Sequence, residues 1–544
     1  MNLRTLLTVV SVRICIALVT QTFFQPDEYF QSLEVAHHLV FGYGHLTWEW
    51  LSDKPIRSIL YPGLNVPIYY ALKWLELDDT KLLIWGPKVL HGALASLTDI
   101  CVCALTEKLL GRSYANVALF LSLTSLFNGL SLTRSMSNSL ETSLTTLALS
   151  VFPWSNASRK AFRSSLWVAA IACAIRPTNA VIWSYVVTAY LWRLRSNTQL
   201  LFYSAVDLCV IGLFSISTLS GIDSLYYGKF TLTPLNFVLT NLSSVSLFYG
   251  ASPWHYYLTQ GLPILCTAAL PFALHGMWIS ASAQGTSTLK WLLGLIVWTI
   301  GIYSLAGHKE WRFIHPLLPL LHIFASKSLV DLYQGSASYH AQKGDSKKLP
   351  TFPIRAPHLV LLFLNIPALV YLATCHSRAQ VDITHYFRSL SEGEVRSAGF
   401  LMPCHSTPWH AYFHKPSWSD GHRFWALGCE PPLGGETIRD YKDQTDVFYD
   451  SPIRYLQDRF PAAVNPQFPP SPKPYSKPGE ATRDITHDWQ HEWPEYIVVF
   501  GALLHEPGVD GLLKNLGFRV AWKDEYGWEG DARRREGIVV LKYM

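Results

Sequence analysis

Two clusters of ionisable and aromatic side chains have the residue types that group transfer needs. The first reads Gln25-Pro26-Asp27-Glu28-Tyr29-Phe30-Gln31-Ser32-Leu33-Glu34-Val35-Ala36-His37-His38, then Gly42-Tyr43-Gly44-His45-Leu46-Thr47-Trp48-Glu49-Trp50. It follows directly on an apolar run over about 5–24. A carboxylate beside bound substrate is a natural general base. Acids are costly in hydrocarbon, so Asp27 and Glu28 should face water or a polar cleft. Asp27 is the first candidate base. The plainer alternative is that both acids cap a surface helix. The second cluster is Gly307-His308-Lys309-Glu310-Trp311-Arg312-Phe313-Ile314-His315-Pro316. Snorkelling at a membrane boundary would account for Lys309 and Arg312, but it does not call for His308 and Glu310 beside them.

Three further places carry weaker signals. Arg176 stands near the end of an apolar segment, next to Pro177. Arginine at membrane depth is a functional candidate, and a phosphate would be a fitting partner; snorkelling to headgroups is the alternative. Arg134 has the same ambiguity. The loop 223–258 holds Thr233-Pro234-Leu235-Asn236-Phe237 and Tyr249-Gly250-Ala251-Ser252-Pro253-Trp254-His255-Tyr256-Tyr257. Such rings suit sugar faces, but alone they are better explained as an interfacial belt.

The elements that must position these groups are membrane helices. Hydrophobic residues make up 49% of the 544, and charged residues only 15%, against roughly 25% in average soluble chains. The net charge of +5 is too modest to point to a nucleic-acid partner. About eleven apolar runs are expected as transmembrane helices, near 5–24, 83–105, 113–133, 139–154, 165–176, 177–192, 200–222, 259–279, 288–306, 311–334 and 356–374. The pair 165–176 and 177–192 is short for two spans, so one bent segment is an alternative. The first run contains Arg13 and lacks a clear cleavage site, which reads as an uncleaved anchor.

Basic residues set the orientation. Lys108 and Arg112; Arg159, Lys160 and Arg163; Arg193 and Arg195; and Lys343, Lys347, Lys348 and Arg355 all fall cytoplasmic if the eleven runs alternate from a cytoplasmic N-terminus. Four polar places then share the far side: the 25–82 loop, the turn at Arg176, the 223–258 loop and the turn 307–312. The apolar stretch 62–76, with Pro62 and Pro67, is expected as an interfacial or re-entrant helix. The sequon at Asn241 is expected to be glycosylated and that at Asn156 to be unmodified.

The chain divides on composition into a helical membrane part, 1–375, and a polar C-terminal part, 376–544. The second is expected as a small α+β domain with strands near 496–500 and 537–541, and 465–480 as an extended loop. Cys404 and Cys429 stand in this part and could form a disulfide. Glu506 and the scattered histidines there are expected on the surface. There is no phosphate-binding glycine loop, no zinc-spaced His/Cys cluster and no Asp-x-Asp in the first loop, so no metal or cofactor is expected.

At Pro26-Asp27-Glu28-Tyr29, 43–50 and His308-Lys309-Glu310-Trp311-Arg312-Phe313 the chain resembles the dolichyl-phosphate-mannose-dependent mannosyltransferases of glycosyltransferase family 22. Ile175-Arg176-Pro177-Thr178 and Pro253-Trp254-His255-Tyr256-Tyr257 fit the same group. Leu401-Met402-Pro403-Cys404-His405-Ser406-Thr407-Pro408 favours the branch that builds glycosylphosphatidylinositol (GPI) anchors over its N-glycan relatives. Phe30 departs from the pattern, where Trp is expected. The resemblance implies a GT-C fold in the endoplasmic reticulum membrane, with a lumenal site. It implies inverting α-1,2 transfer of the third mannose, from dolichyl phosphate β-D-mannose to the second mannose of a GPI precursor. Asp27 would be the base, with Glu28 orienting it or binding acceptor. Arg176, His308, Lys309 and Arg312 are candidates for the donor phosphate. Glu310, Glu34, His37, Trp48, Glu49, Trp254 and His255 would support the site or bind substrate. A transporter or flippase would call for an inverted repeat, and none is visible.

Overall fold

The computed structural model describes every residue except 1, 156, 283–284, 343–351, 434–440, 480–487 and 526–527. Asn156 of the sequon expected to be unmodified and the basic residues Lys343, Lys347 and Lys348 therefore lie outside the described residues. Among those described, six helices are long and apolar enough to cross a membrane: Leu82–Leu110, Thr198–Tyr227, Tyr257–Ala281, Ser287–Ser304, Trp311–Ser336 and Ala356–Ser389. The other expected runs form shorter or divided helices. Leu3–Val19 carries the first. The run 113–133 divides at Ser125, whose side chain caps the helix Leu126–Ser131. The run 165–192 is two helices, Arg159–Ile175 and Ala180–Arg193, with Arg176 extended between them. Pro177 sits comfortably in a first turn but cannot continue the helix before it.

Arg13 is tolerated in the first helix because it is paired. Its Nε and Nη2 donate to the two carboxylate oxygens of Asp99, both at 2.7 Å, and both side chains are fully buried. Removing one partner of such a pair typically costs about 3–5 kcal/mol. The basic loops meet at one end. Lys108 donates to the Phe152 carbonyl at 2.7 Å, and Arg193 donates to the carbonyls of Trp154 and Ser155. The stretch 62–76 holds the nine-residue helix Val66–Trp74, too short to span.

A five-stranded mixed sheet lies towards the C-terminus. Its strands are β1 (Ala398–Phe400), β2 (Phe424–Ala426), β3 (Tyr496–Phe500), β4 (Phe518–Asp524) and β5 (Ile538–Tyr543), in the order β2-β1-β3-β5-β4. β1 runs parallel to β2 and β3; β5 is antiparallel to β3 and β4. Alternation along the strands gives two buried faces. One face, with Phe400, Tyr496, Val498 and Val540, packs with Tyr29, Phe30 and Leu33 of the first loop. The other, with Trp425, Ile497, Val499 and Leu541, packs with Phe448, Leu456 and Leu513. The segment carrying Asp27 thus shares a core with the sheet. The histidines expected on the surface here divide: His410, His414 and His491 are buried, because they lie on the faces that close onto the first loop and the sheet.

Candidate functional site

After Val19 the chain runs extended along the last membrane segment. The Gln21 N–H donates to the Ala373 carbonyl at 2.8 Å and the Phe23 N–H to the Ser377 carbonyl at 3.0 Å. Pro26 then opens a helical turn, and Tyr29–Leu33 continues it as one π-helical turn. Such turns occur often at functional sites. Tyr29 and Phe30 anchor the turn in the sheet core, and Asp27, two residues before Tyr29, is left on the wall of a cavity of about 610 Å³.

Each of the four polar places expected on one side contributes to this cavity. Asp27, Gln31, Trp48, Glu49 and Arg57 come from the first loop. Arg176 comes from the helix break, Phe237 and Tyr249 from the second loop, and His308, Lys309, Glu310 and Arg312 from the turn before the Trp311 span. The Arg312 Nη1 donates to Asp27 Oδ2 at 2.6 Å, while Nε and Nη2 donate to the two oxygens of Glu310 at 2.5 and 2.9 Å. Asp27 Oδ1 makes no hydrogen bond among the described residues, so one oxygen is fixed and the other left for a ligand.

Glu310 also meets His308 Nε2 at 3.1 Å, while His308 Nδ1 meets the Gly250 carbonyl at 3.0 Å. Both neighbours are acceptors, so the imidazolium, with a donor on each ring nitrogen, satisfies the two contacts together. Burial would lower the His308 pKa, but the hydrogen bonds to Glu310 and Gly250 raise it above its ordinary value. Burial would likewise raise Glu310, yet the Arg312 guanidinium and His308 hold it well below the carboxylate range.

The cations are tied to different degrees. The Lys309 Nζ donates to the carbonyls of Ser252, at 2.8 Å, and Ala306, fastening the second loop to the turn. Arg176 Nε lies 3.0 Å from Glu141, and its Nη1 donates to Ser137 at 3.1 Å and Asn138 at 3.3 Å. The ring of Phe313 lies under both Arg176, at 5.5 Å, and Arg312, at 5.9 Å. Arg57 donates from Nε and Nη2 to Glu49 Oε1, at 3.0 and 2.7 Å. Arg57, Arg176 and Arg312 line the cavity together with Arg534; these three are grouped around Phe313 and Glu49, an arrangement suited to a phosphate.

Several expected site residues sit elsewhere. Glu28 was expected beside Asp27, but it lines no part of this cavity: it is buried and paired with Arg134 at 3.0 Å. Successive residues on a helical turn point about 100° apart, which separates the two acids. Arg134 is thereby explained as the partner of Glu28 and of the Thr22 carbonyl. Glu34 is a joint with the C-terminal part. Its Oε2 accepts from the His45 N–H at 3.1 Å and its Oε1 from the Ala411 N–H at 2.7 Å. Burial raises its pKa to about 7, against the pull of those N–H groups. His37 Nε2 lies 2.8 Å from His414 Nδ1 in the same joint. Trp254 is 69% exposed on a turn outside the cavity, and His255 stays beside it, 3.2 Å from Thr259. Trp48 does line the cavity, donating to the Tyr249 hydroxyl at 2.8 Å. Asn241 is exposed on the helix Thr233–Leu242, at the cavity wall.

The sequence pattern singles out neither Arg57 nor Glu141, and gives Tyr249 only as one ring of an aromatic run. Arg57 lies near Lys54 in a polar loop, with no feature to single it out. Glu141 begins an apolar run opposite Arg176, and a search for acids to match the intramembrane arginine would have found it. A disulfide joins Cys404 and Cys429 at the cavity's edge. With His405 these form the one His/Cys/Asp/Glu group of metal-ligating geometry among the described residues, and its two sulfurs are bonded to each other.

The sequence pattern of the Alg9-like mannosyltransferase family matches residues 4–414. GPI mannosyltransferase 3 of Yarrowia lipolytica is 37% identical over 464 residues, 84% of each chain. GPI alpha-1,2-mannosyltransferase 3 of Mus musculus is 35% identical over 465 residues, 84% of this chain and 79% of that one. Among solved structures, ArnT from Cupriavidus metallidurans bound to undecaprenyl phosphate superposes with a TM-score of 0.55 at 11% identity, covering 98% of this chain and 96% of that one. The shared architecture is the GT-C fold.

Proposed function

The chain belongs to the Alg9-like mannosyltransferase family, and from that premise we propose that it adds the third mannose, in α-1,2 linkage, to a GPI precursor. The donor is dolichyl phosphate β-D-mannose, the acceptor the 2-hydroxyl of the second mannose. The enzyme works in the endoplasmic reticulum membrane with its cavity towards the lumen. The observation that carries the reading is the ion pair of Asp27 with Arg312 in a cavity that Arg57 and Arg176 also face.

The chemistry follows from those groups. The acceptor oxygen attacks C1 of the donor mannose from the face opposite the phosphate, so the anomeric centre inverts. As the new C–O bond forms, the hydroxyl proton passes to Asp27 Oδ1. The bond from C1 to the phosphate oxygen breaks, and dolichyl phosphate leaves as a monoester without needing a proton. Arg57 and Arg176 hold the charge that develops on it. Arg312, itself held by Glu310, fixes the angle of the Asp27 carboxylate, and His308 and Lys309 hold Glu310 and the turn in place. Glu28 acts structurally, through Arg134.

Microsomes bearing the chain test this, given labelled dolichyl phosphate mannose and a two-mannose GPI precursor. Label should enter a three-mannose glycolipid and be released by an α-1,2-mannosidase. Label entering an oligosaccharide precursor instead, or no acceptor at all, would overturn the reading.

A further inference from the structure

A second cavity, of about 120 Å³, adjoins the first. It lies between the first loop and the C-terminal sheet, and Phe30, His405 and Cys429 belong to the walls of both cavities. One water needs roughly 10–15 Å³ measured this way, so the space takes a group far larger than a single water. Its lining joins ring faces, Phe30 and Trp409, to polar edges, His45, His405, His410 and Glu430. Ring faces with a few convergent polar groups suit a sugar.

Two of its polar side chains each leave one atom without a partner among the described residues. Glu430 is 8% exposed and His410 5%. Glu430 Oε2 and His410 Nδ1 are both buried without a hydrogen bond among the described residues. A buried unsatisfied group of this kind typically costs more than a hydrogen bond gains, and no cation pairs with Glu430 among the described residues. Burial, reinforced by Asp443 and Glu49, raises the Glu430 pKa to about 7, against a hydrogen bond from the Gly479 N–H. Burial keeps the histidines uncharged: His45 falls to about 4, and His405 and His410 to about 3. Fold stability gives no reason for this carboxylate; a ligand with a hydrogen to donate gives one.

We propose that this cavity is a subsite for a second sugar ring of the acceptor glycolipid, carrying an amine or hydroxyl that donates to Glu430. The proposal rests on the mannosyltransfer reading above. It places the ring being extended at Asp27 and a ring further along the same glycan beneath the Cys404–Cys429 disulfide. Specificity for the acceptor then resides partly in the C-terminal sheet, apart from the donor site.

The test uses the full-length protein in microsomes. Glu430→Gln keeps size but removes the charge. It should raise the acceptor KM about tenfold, the loss of one charge-assisted hydrogen bond, with kcat and donor KM unchanged and thermal stability not lowered. A purely structural Glu430 predicts the reverse: lower stability with unchanged acceptor KM, and that result overturns the subsite. A wild-type assay decides independently of how the variant folds. Free glucosamine or glucose should compete with the acceptor and not with the donor. Stronger competition by glucosamine assigns an amine, equal competition a hydroxyl, and competition by neither overturns the proposal. A wild-type chain that transfers no mannose removes the parent reading and this one with it, whereas an active wild type with unaltered acceptor kinetics in Glu430→Gln removes the subsite alone.

Discussion

Arg312 and Arg57 face the same cavity but are tied differently. Arg312 donates to two carboxylates and holds Asp27 at 2.6 Å, whereas Arg57 donates only to Glu49 and keeps Nη1 clear of hydrogen bonds among the described residues. Arg312→Lys cannot make the same planar fork. It should lower kcat and leave the donor KM nearly unchanged, because it disorients the base. Arg57→Gln should do the opposite, raising the donor KM about tenfold or more by removing one charged contact to phosphate. Steady-state kinetics with each substrate varied separately decides this; equal effects of both variants on both parameters would erase the distinction. Residue types were legible in sequence at Asp27 and Arg312. Their pairing was not, since 285 positions separate them and nothing local links the two. Glu28 misled because neighbours in sequence point about 100° apart on a helical turn, so adjacency in the chain does not bring two side chains to one site.

The turn 307–310 is the element that joins the second loop to the wall that carries Asp27. It does so through Lys309 on Ser252 and through His308 between Gly250 and Glu310. His308 has a raised pKa. Its contribution to holding this turn is therefore complete below its ordinary value near 6.5 and is lost as pH rises through the raised one. Transfer should fall over that upper range. His308→Gln keeps donors without titrating, so its kcat/KM should vary less with pH between about 6 and 9. An unchanged alkaline limb in the variant would remove His308 as its source. The turn was legible because a charge cluster at the head of an apolar run is conspicuous. The strands β1 and β2 were not, because three residues are too few to show alternation. One face of them is buried by the first loop and the other by the helices packed on Trp425, which no local pattern reveals. Trp254 and His255 read as site residues by type, but the turn that carries them faces outward.

At the scale of the whole molecule, the four polar places expected to share a side line one cavity, and Lys108 and Arg193 of two of the basic loops both reach the backbone at 152–155. The number of spans was less legible, since Ser125 and Pro177 divide runs that hydropathy alone treats as continuous or ambiguous. If the cavity opens to the lumen, Asn241 at its wall is on the glycosylated side. An endoglycosidase-sensitive mass shift should be present in the wild type and abolished by Asn241→Gln. A shift abolished only by Asn156→Gln would invert the topology.

The central claim is that Asp27 takes the acceptor proton. Asn in its place keeps the size and the contact with Arg312 but cannot accept that proton. General-base assistance contributes about 10²–10⁴-fold, so Asp27→Asn, at equal abundance and equal donor KM, should transfer mannose slower by that factor. Cells relying on it should accumulate the two-mannose precursor. Near-normal turnover in Asp27→Asn would contradict the account.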